Sequence, residues 1–154
     1  MRYILSCGSN LGNRESNLKK GIKFLFSIGK IISSSSVYET SPVGMTGGTR
    51  PFYNSIVVLD SDQDPEEMLK KIKQFEEKMG RDTENSHMKP RQLDIDILFA
   101  DELIINTPHL TIPHPEITNR KFVLKPLNEI LPEFRHPVSG KIVRDLLTEL
   151  NSDE

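Results

Sequence analysis

Hydrophobic periodicity in this chain switches between two residues and about 3.6 residues in a fixed order, and that order limits the possible folds most. Residues 2–6 form a short apolar run closed by Gly8-Ser9-Asn10, which reads as a buried strand ended by a turn. Leu18, Ile22, Leu25 and Ile28 then recur at helical spacing and predict a helix over 13–28, with Gly29 beyond its end. A second strand is predicted over 31–38, although Ser33-Ser34-Ser35-Ser36 within it also suits a flexible segment. Residues 52–60 resume a strand. A helix follows with marked ends: Asp64 as N-cap, Pro65 at the first position, Glu67 completing a capping box, and Gly80 at the close. Met68, Leu69, Ile72, Phe75 and Met79 make its buried stripe, and Glu76 sits at the stripe's edge, where a carboxylate either snorkels at the rim or faces a ligand. Residues 91–99 return to period two.

Two segments interrupt the pattern. Residues 40–51 hold two prolines and three glycines, which exclude regular structure and indicate a long loop. Residues 81–90 are polar and make a second loop of the length that tends to carry function. Beyond 99, Asp101-Glu102 should turn the chain into 103–105 as a hairpin partner of the preceding strand. The proline-rich stretch 107–137 should wrap the sheet with short helical turns, and 143–150 reads as a last short helix. The order strand–helix–strand, loop, strand–helix–strand points to an α+β fold, a ferredoxin-like βαββαβ sandwich with additional C-terminal strands and helices and long loops. One sheet face would carry the two helices, and the other would be left for loops and ligands.

At 154 residues, with 36% hydrophobic and 27% charged positions, the chain suits a single domain over 1–154 with its own core. A net charge of −2 gives no general case for nucleic-acid binding. Charge is uneven, however: His109, His114, Arg120, Lys121 and Lys125 are opposed in their stretch only by Glu116, which suits an anion site or a solvated basic face. The single cysteine, Cys7, cannot pair within the chain and lies in an apolar run, as a small packing residue would. No signal-peptide core is visible, and the longest aliphatic run, Ile56-Val57-Val58-Leu59, is far too short to span a bilayer. The expectation is a cytoplasmic protein, with a monomer as the default state.

Within 91–99, Asp94 and Asp96 are separated by one apolar residue. Side chains alternate along a strand, so both carboxylates share one face while Leu93, Ile95, Ile97 and Phe99 point into a core. Positions two apart lie roughly 6–7 Å apart. That spacing suits two hard cations sharing a polyphosphate, each taking one carboxylate and keeping several waters. An amphipathic strand with one wet face would look the same.

Other segments join this pair: Gly8-Ser9-Asn10-Leu11-Gly12, Tyr38-Glu39-Thr40-Ser41-Pro42, Phe52-Tyr53-Asn54, Glu76 with Gly80-Arg81, Pro90-Arg91-Gln92-Leu93-Asp94-Ile95-Asp96-Ile97-Leu98, Pro113-His114-Pro115, Arg120-Lys121-Phe122-Val123-Leu124 and Pro126-Leu127. In number, order and spacing they resemble the 6-hydroxymethyl-7,8-dihydropterin pyrophosphokinases of folate biosynthesis, over nearly the whole chain. The resemblance implies an ATP-dependent enzyme that transfers pyrophosphate to a pterin alcohol, giving AMP. It implies two Mg²⁺ ions on Asp94 and Asp96, with Arg81 and Arg91 joining these aspartates in catalysis. Glu76, Arg91, Ile97, Thr111, His114 and Arg120 match nucleotide-binding positions. Thr40, Pro42, Phe52, Asn54, Asp94 and Phe122 match pterin-binding positions, with Phe52 and Phe122 sandwiching the ring and Asn54 reading its edge. Without the resemblance, Phe122 beside Val123 and Leu124 would read as core. The loops would close over the substrates and exclude water, limiting hydrolysis of ATP.

Three positions depart from the family pattern, all in one loop: Thr83 where many members have an arginine, Lys89 where Gly or Ala is usual, and Met88 where an aromatic is frequent. Lys89 could supply the charge missing at Thr83. Two other functions use related residues. A metal-dependent phosphohydrolase would need the aspartates and the basic residues but no aromatic pocket. A non-catalytic pterin- or nucleotide-binding relative would keep the pocket and tolerate loss of either aspartate.

Overall fold

A computed structural model describes residues 1–40, 51–80 and 92–152. Pro42, Arg81, Thr83, Met88, Lys89 and Arg91 lie outside the described residues, and so do the loops predicted around them. The fold is α+β, built on an antiparallel sheet. Strand β1 (Arg2–Ser9) runs through its middle and is buried along seven of its eight positions. Helix α1 (Arg14–Ile28) follows, started by Asn13, whose side chain accepts a 3.0 Å hydrogen bond from the Ser16 N–H. Strand β4 (Phe52–Asp60) and helix α2 (Pro65–Lys78) match the expected segments closely, and Asp64 caps α2 by accepting from the Glu67 N–H at 2.9 Å. The aspartate strand is β5 (Asp94–Ala100).

The expected strand over 31–38 is two strands, β2 (Lys30–Ser34) and β3 (Tyr38–Thr40), both paired with β4. The serine run explains the break. Ser35 donates its N–H to the Ile56 carbonyl, but its hydroxyl takes the place of a backbone carbonyl in accepting from the Ile56 N–H, at 2.8 Å in each case. The order across the sheet is β2-β4-β1-β5, with every pairing antiparallel.

Helices α1 and α2 cover one face, burying Leu18, Leu25, Met68 and Ile72 against Tyr3, Leu5, Cys7, Val57, Leu59, Ile95 and Ile97. The opposite face is not left wholly to loops, as the sequence suggested. Its lower half is covered by α3 (Lys121–Ile130) and α4 (Val143–Ser152), whose Val123, Leu124, Leu127, Val143 and Leu146 pack on Ile4, Ile56, Val58, Leu98 and Phe99. Helix α3 runs through the proline-rich stretch and contains Pro126. Pro126 cannot donate to the Phe122 carbonyl, but its ring is buried and the apolar stripe around it holds the helix.

Phe99 corrects the simple alternation. Ile4 pairs with Phe99 and Leu5 with Ile97, so Leu98 is the extra residue of a β-bulge. Ile95 and Ile97 enter the helix-side core, whereas Leu98 and Phe99 both enter the core under α3 and α4. The bulge sits where the face bearing Asp94 and Asp96 becomes a covered one. The expected hairpin partner over 103–105 is also absent from that position. Strand β6 (Ile105–Asn106) pairs instead with β7 (Thr111–Ile112) in a separate two-stranded sheet, because Thr107 and Leu110 close a tight turn between them. After a cis Ile112–Pro113 bond, the His114 N–H donates to the Leu98 carbonyl at 3.0 Å and lays this segment along the free edge of β5. No helix among the described residues is long and apolar enough to cross a membrane.

Candidate active site

Three strands meet in register at the uncovered end of the second face. Gly8 on β1 pairs with Asn54 on one side and Asp94 on the other; one step along, Ser6 pairs with Ile56 and Asp96. Neighbouring strands lie roughly 4.8 Å apart, so Asn54 and Asp94 stand about 10 Å apart across a floor made by a glycine. Beyond Asn54, β3 adds Tyr38 opposite Asn54 and Thr40 opposite Phe52. Gly8 is needed for close approach: a Cβ there would stand 2.8 Å from Asn54 Oδ1 and 3.7 Å from Phe52 Cδ1. The sequence shows Gly8 in a turn-like motif but gives no sign that it is the floor of a site, because its cross-strand neighbours are set by register.

Asp94 and Asp96 project from this floor, half-buried. Directly beneath, the fully buried Cys7 thiol is pushed up to about 12, by burial first and then by the Asp96, Asp94 and Glu76 carboxylates. The negative field that suppresses the thiolate would attract a cation. Among the described residues no group of three or more His, Cys, Asp or Glu could hold a metal. The described residues therefore offer two hard carboxylate oxygen donors, a set whose remaining positions water or phosphate would fill. That donor set fits Mg²⁺, which keeps waters and shares substrate oxygens, and does not suit zinc.

On the other side of Gly8, Asn54 is 5% exposed and its Nδ2 donates to the Thr40 hydroxyl at 2.6 Å. This bond turns Oδ1 toward the space above Gly8. Phe52 is half-buried beside it. Tyr53 points to the opposite face, where the Arg14 guanidinium lies 4.0 Å above its ring and donates to the Pro51 carbonyl at 2.8 Å. Phe122, also half-buried, stands in the first turn of α3 with the Arg120 guanidinium 5.5 Å from its ring centroid. Its ring is packed partly against the second core, so the core and pocket readings of Phe122 both describe part of its surroundings.

His114 has its Nδ1 occupied, accepting from the Glu116 N–H at 3.1 Å, so the neutral ring carries its proton on Nε2. Burial lowers its pKa and Arg120 lowers it further, against weaker opposing effects of Glu116 and Asp94. Asp94, His114 and Arg120 therefore act on one another across the edge of the sheet. Thr111 stands nearby in β7, half-buried. Ile97 has its side chain in the helix-side core, 5% exposed, so a ligand could meet only its main chain. Glu76 is not at the rim: it is 2% exposed and its Oε2 accepts from the Ile95 N–H at 2.8 Å. It supports the edge strand from behind, between Asp94 and Asp96. Clefts of about 610 and 690 Å³ open elsewhere, one beside Leu18 and Tyr53, the other beside Ile32 and Phe134; neither is lined by the aspartates or Asn54.

Comparisons with known proteins identify the family. Residues 4–132 match the family 7,8-dihydro-6-hydroxymethylpterin-pyrophosphokinase (HPPK). The 2-amino-4-hydroxy-6-hydroxymethyldihydropteridine pyrophosphokinase of Aquifex aeolicus is 36% identical over 94% of this chain and 89% of its own length. A folic acid synthesis protein of Dictyostelium discoideum is 43% identical over 86% of this chain, which matches only 20% of that longer protein. The folate synthesis bifunctional protein of Pisum sativum is 38% identical over 83% of this chain and 25% of its own. Among solved structures, Plasmodium falciparum HPPK-DHPS with SDX-DHP superposes with a TM-score of 0.79 at 21% identity, covering 98% of this chain and 44% of that one. That likeness concerns the fold, while the extent of the family match and the Aquifex relative establish descent: this chain belongs to the 7,8-dihydro-6-hydroxymethylpterin-pyrophosphokinase family.

Proposed function

We propose that the chain transfers pyrophosphate from ATP to 6-hydroxymethyl-7,8-dihydropterin, a step in folate biosynthesis. The hydroxyl oxygen of the pterin forms a bond to the β-phosphorus, the bond from that phosphorus to the α-phosphate oxygen breaks, AMP leaves, and the hydroxyl proton is released. The observation that carries this reading is the row Asn54–Gly8–Asp94, in which an amide able to read a heterocycle and a carboxylate able to hold a cation share one floor.

The flat pterin lies over Gly8, stacked between Phe52 and Phe122, each aromatic face worth roughly 1–3 kcal/mol. Asn54 Oδ1 accepts from its ring N–H groups, and Thr40, by taking the Nδ2 bond, holds the amide in that sense. Pro42, outside the described residues, keeps the pterin-binding part that the family resemblance gives it. Asp94 and Asp96 would hold two Mg²⁺ ions, which would supply positive charge against the charge that develops in transfer. His114 donates its Nε2 proton to a phosphate oxygen, and Arg120, Arg91 and Arg81 supply fixed positive charge. Thr111 and the Ile97 main chain meet the nucleotide, whereas Glu76 serves by holding β5. The sheet order and the two helices on one face support a ferredoxin-like βαββαβ architecture with C-terminal additions. On this reading residues 1–154 are one catalytic domain, a cytoplasmic monomer acting on small molecules.

Incubation with ATP, Mg²⁺ and 6-hydroxymethyl-7,8-dihydropterin tests the proposal by resolving the nucleotide products. AMP should form only with the pterin present, and Asp94→Ala or Asp96→Ala should abolish it. ADP or phosphate released without pterin would instead identify a metal-dependent phosphohydrolase, and pterin binding without turnover a binding protein.

A further inference from the structure

Glu129, in the last turn of α3, has its carboxylate turned toward the link between β2 and β3. Its Oε1 accepts from the Tyr38 hydroxyl at 2.8 Å, and its Oε2 accepts from the Ser36 hydroxyl at 3.0 Å. The Ser36 N–H is shared between the two oxygens, at 3.2 and 3.0 Å. The Tyr38 hydroxyl, then the Ser36 N–H, lower the pKa of Glu129, so the carboxylate is ionised at neutral pH. This is a polar clasp between a helix and a strand pair on the protein surface.

Its position relates it to the site. Phe122 and Glu129 are two helical turns apart, hence on one face of α3 and separated by about 10 Å along its axis. Tyr38 pairs with Asn54, and Thr40, two residues on and so on the same face, accepts the Asn54 amide bond. A single carboxylate therefore ties the helix carrying Phe122 to the strands carrying Asn54, Thr40 and Phe52. Of the groups facing the nucleotide, the aspartates, Thr111 and His114 hang elsewhere, on β5, on β7 and on the segment tied to the Leu98 carbonyl, while Arg120, the residue before α3, is held to the preceding turn by its N–H bond to the Ile117 carbonyl.

We propose that Glu129 is a positioning residue that sets the width of the slot between Phe122 and the Asn54–Phe52 wall, and so controls pterin affinity separately from nucleotide affinity. This rests on the pterin site proposed above. Tyr38 is the arm through which it acts. The bonds lie at the surface, where water can replace each one, so losing them disturbs placement more than folding.

The test compares wild type, Glu129→Ala, Glu129→Gln and Tyr38→Phe by steady-state KM for each substrate and by thermal denaturation. Glu129→Ala should raise the KM for 6-hydroxymethyl-7,8-dihydropterin about tenfold, while the KM for ATP stays within about twofold. Glu129→Gln, which retains an acceptor for Tyr38, should recover most of the loss, and Tyr38→Phe should reproduce part of it. An active wild type whose Glu129→Ala variant shows unchanged kinetics, or equal rises in both KM values, overturns the clasp and leaves the pyrophosphokinase reading intact. A pterin effect that merely tracks loss of thermal stability across the variants also overturns it. A wild type that neither turns over nor binds the pterin ends both proposals.

Discussion

Gly8→Ala is the substitution that most directly tests whether the glycine floor is part of the site. The added methyl would stand 2.8 Å from Asn54 Oδ1, closer than carbon and oxygen can approach, so something must move. The Asn54 side chain is no loose end that could swing away: it is 5% exposed and held by the 2.6 Å bond to Thr40. Overpacking of this kind costs about 1–3 kcal/mol. Against that, replacing a strand glycine with alanine recovers about 0.4–1 kcal/mol through the unfolded chain. The net loss of stability should therefore be about 0–2.6 kcal/mol, seen as a fall in Tm. Pterin binding should suffer more, because both remedies spoil it: the methyl occupies the space above the floor, or Asn54 rotates and its Oδ1 no longer faces the ring. We expect the Kd for 6-hydroxymethyl-7,8-dihydropterin to rise by about 10–100-fold, or ~1.4–2.7 kcal/mol, with little change for nucleotide. Titration calorimetry in the presence of Mg²⁺ and a non-hydrolysable ATP analogue measures this. A Gly8→Ala protein that is stable and binds pterin as wild type does would refute the placement of the ring over Gly8.

Two further predictions concern the support of the site. Glu76→Ala leaves the Ile95 N–H buried without its acceptor and should cost about 1–3 kcal/mol in urea unfolding, whereas Glu76→Gln, which keeps a carbonyl oxygen there, should cost less. Equal losses for the two variants would show that the hydrogen bond is not what matters at that position. Burial lowers the pKa of both His114, helped by Arg120, and His136, so the folded protein binds fewer protons than the unfolded chain just below the ordinary histidine value of about 6.5. Stability is then complete above that pH and is lost progressively as pH falls below it. Tm measured from pH 7.5 down to pH 5.5 should decline, and His136→Gln should flatten part of the decline; a Tm that rises on acidification contradicts the sign.

Much of the scaffold was legible because it is written in local chemistry. The strand over 52–60 follows from the continuous aliphatic run Ile56-Val57-Val58-Leu59, and it is buried on both faces. The helix following Asp64 follows from a capping side chain and a proline at the first position. The shared face of Asp94 and Asp96 follows from the backbone geometry of a single strand. Where local reading failed, a distant partner decided the outcome. The strand expected over 31–38 divides because Ser35 bonds to Ile56 and Ser36 to Glu129. Helix α3 survives Pro126 because the core under Leu124 and Leu127 repays the missing bond. Phe99 changes face because Leu98 is bulged against β1, and Glu76, read as a rim or ligand carboxylate, is drawn inward by an edge N–H that no strand satisfies.

The sequence by itself determined which of the candidate residues share an element, since spacing along one strand or helix is set by covalent geometry. Only the tertiary structure decided that Asn54, Gly8 and Asp94 form one row, and that Glu129 faces Tyr38. Those neighbours come from segments dozens of residues apart, and their meeting depends on the hydrogen-bond register of three strands and on the packing of a helix across them. A shift of one residue in that register would turn the same carboxylates and amide into the opposite core.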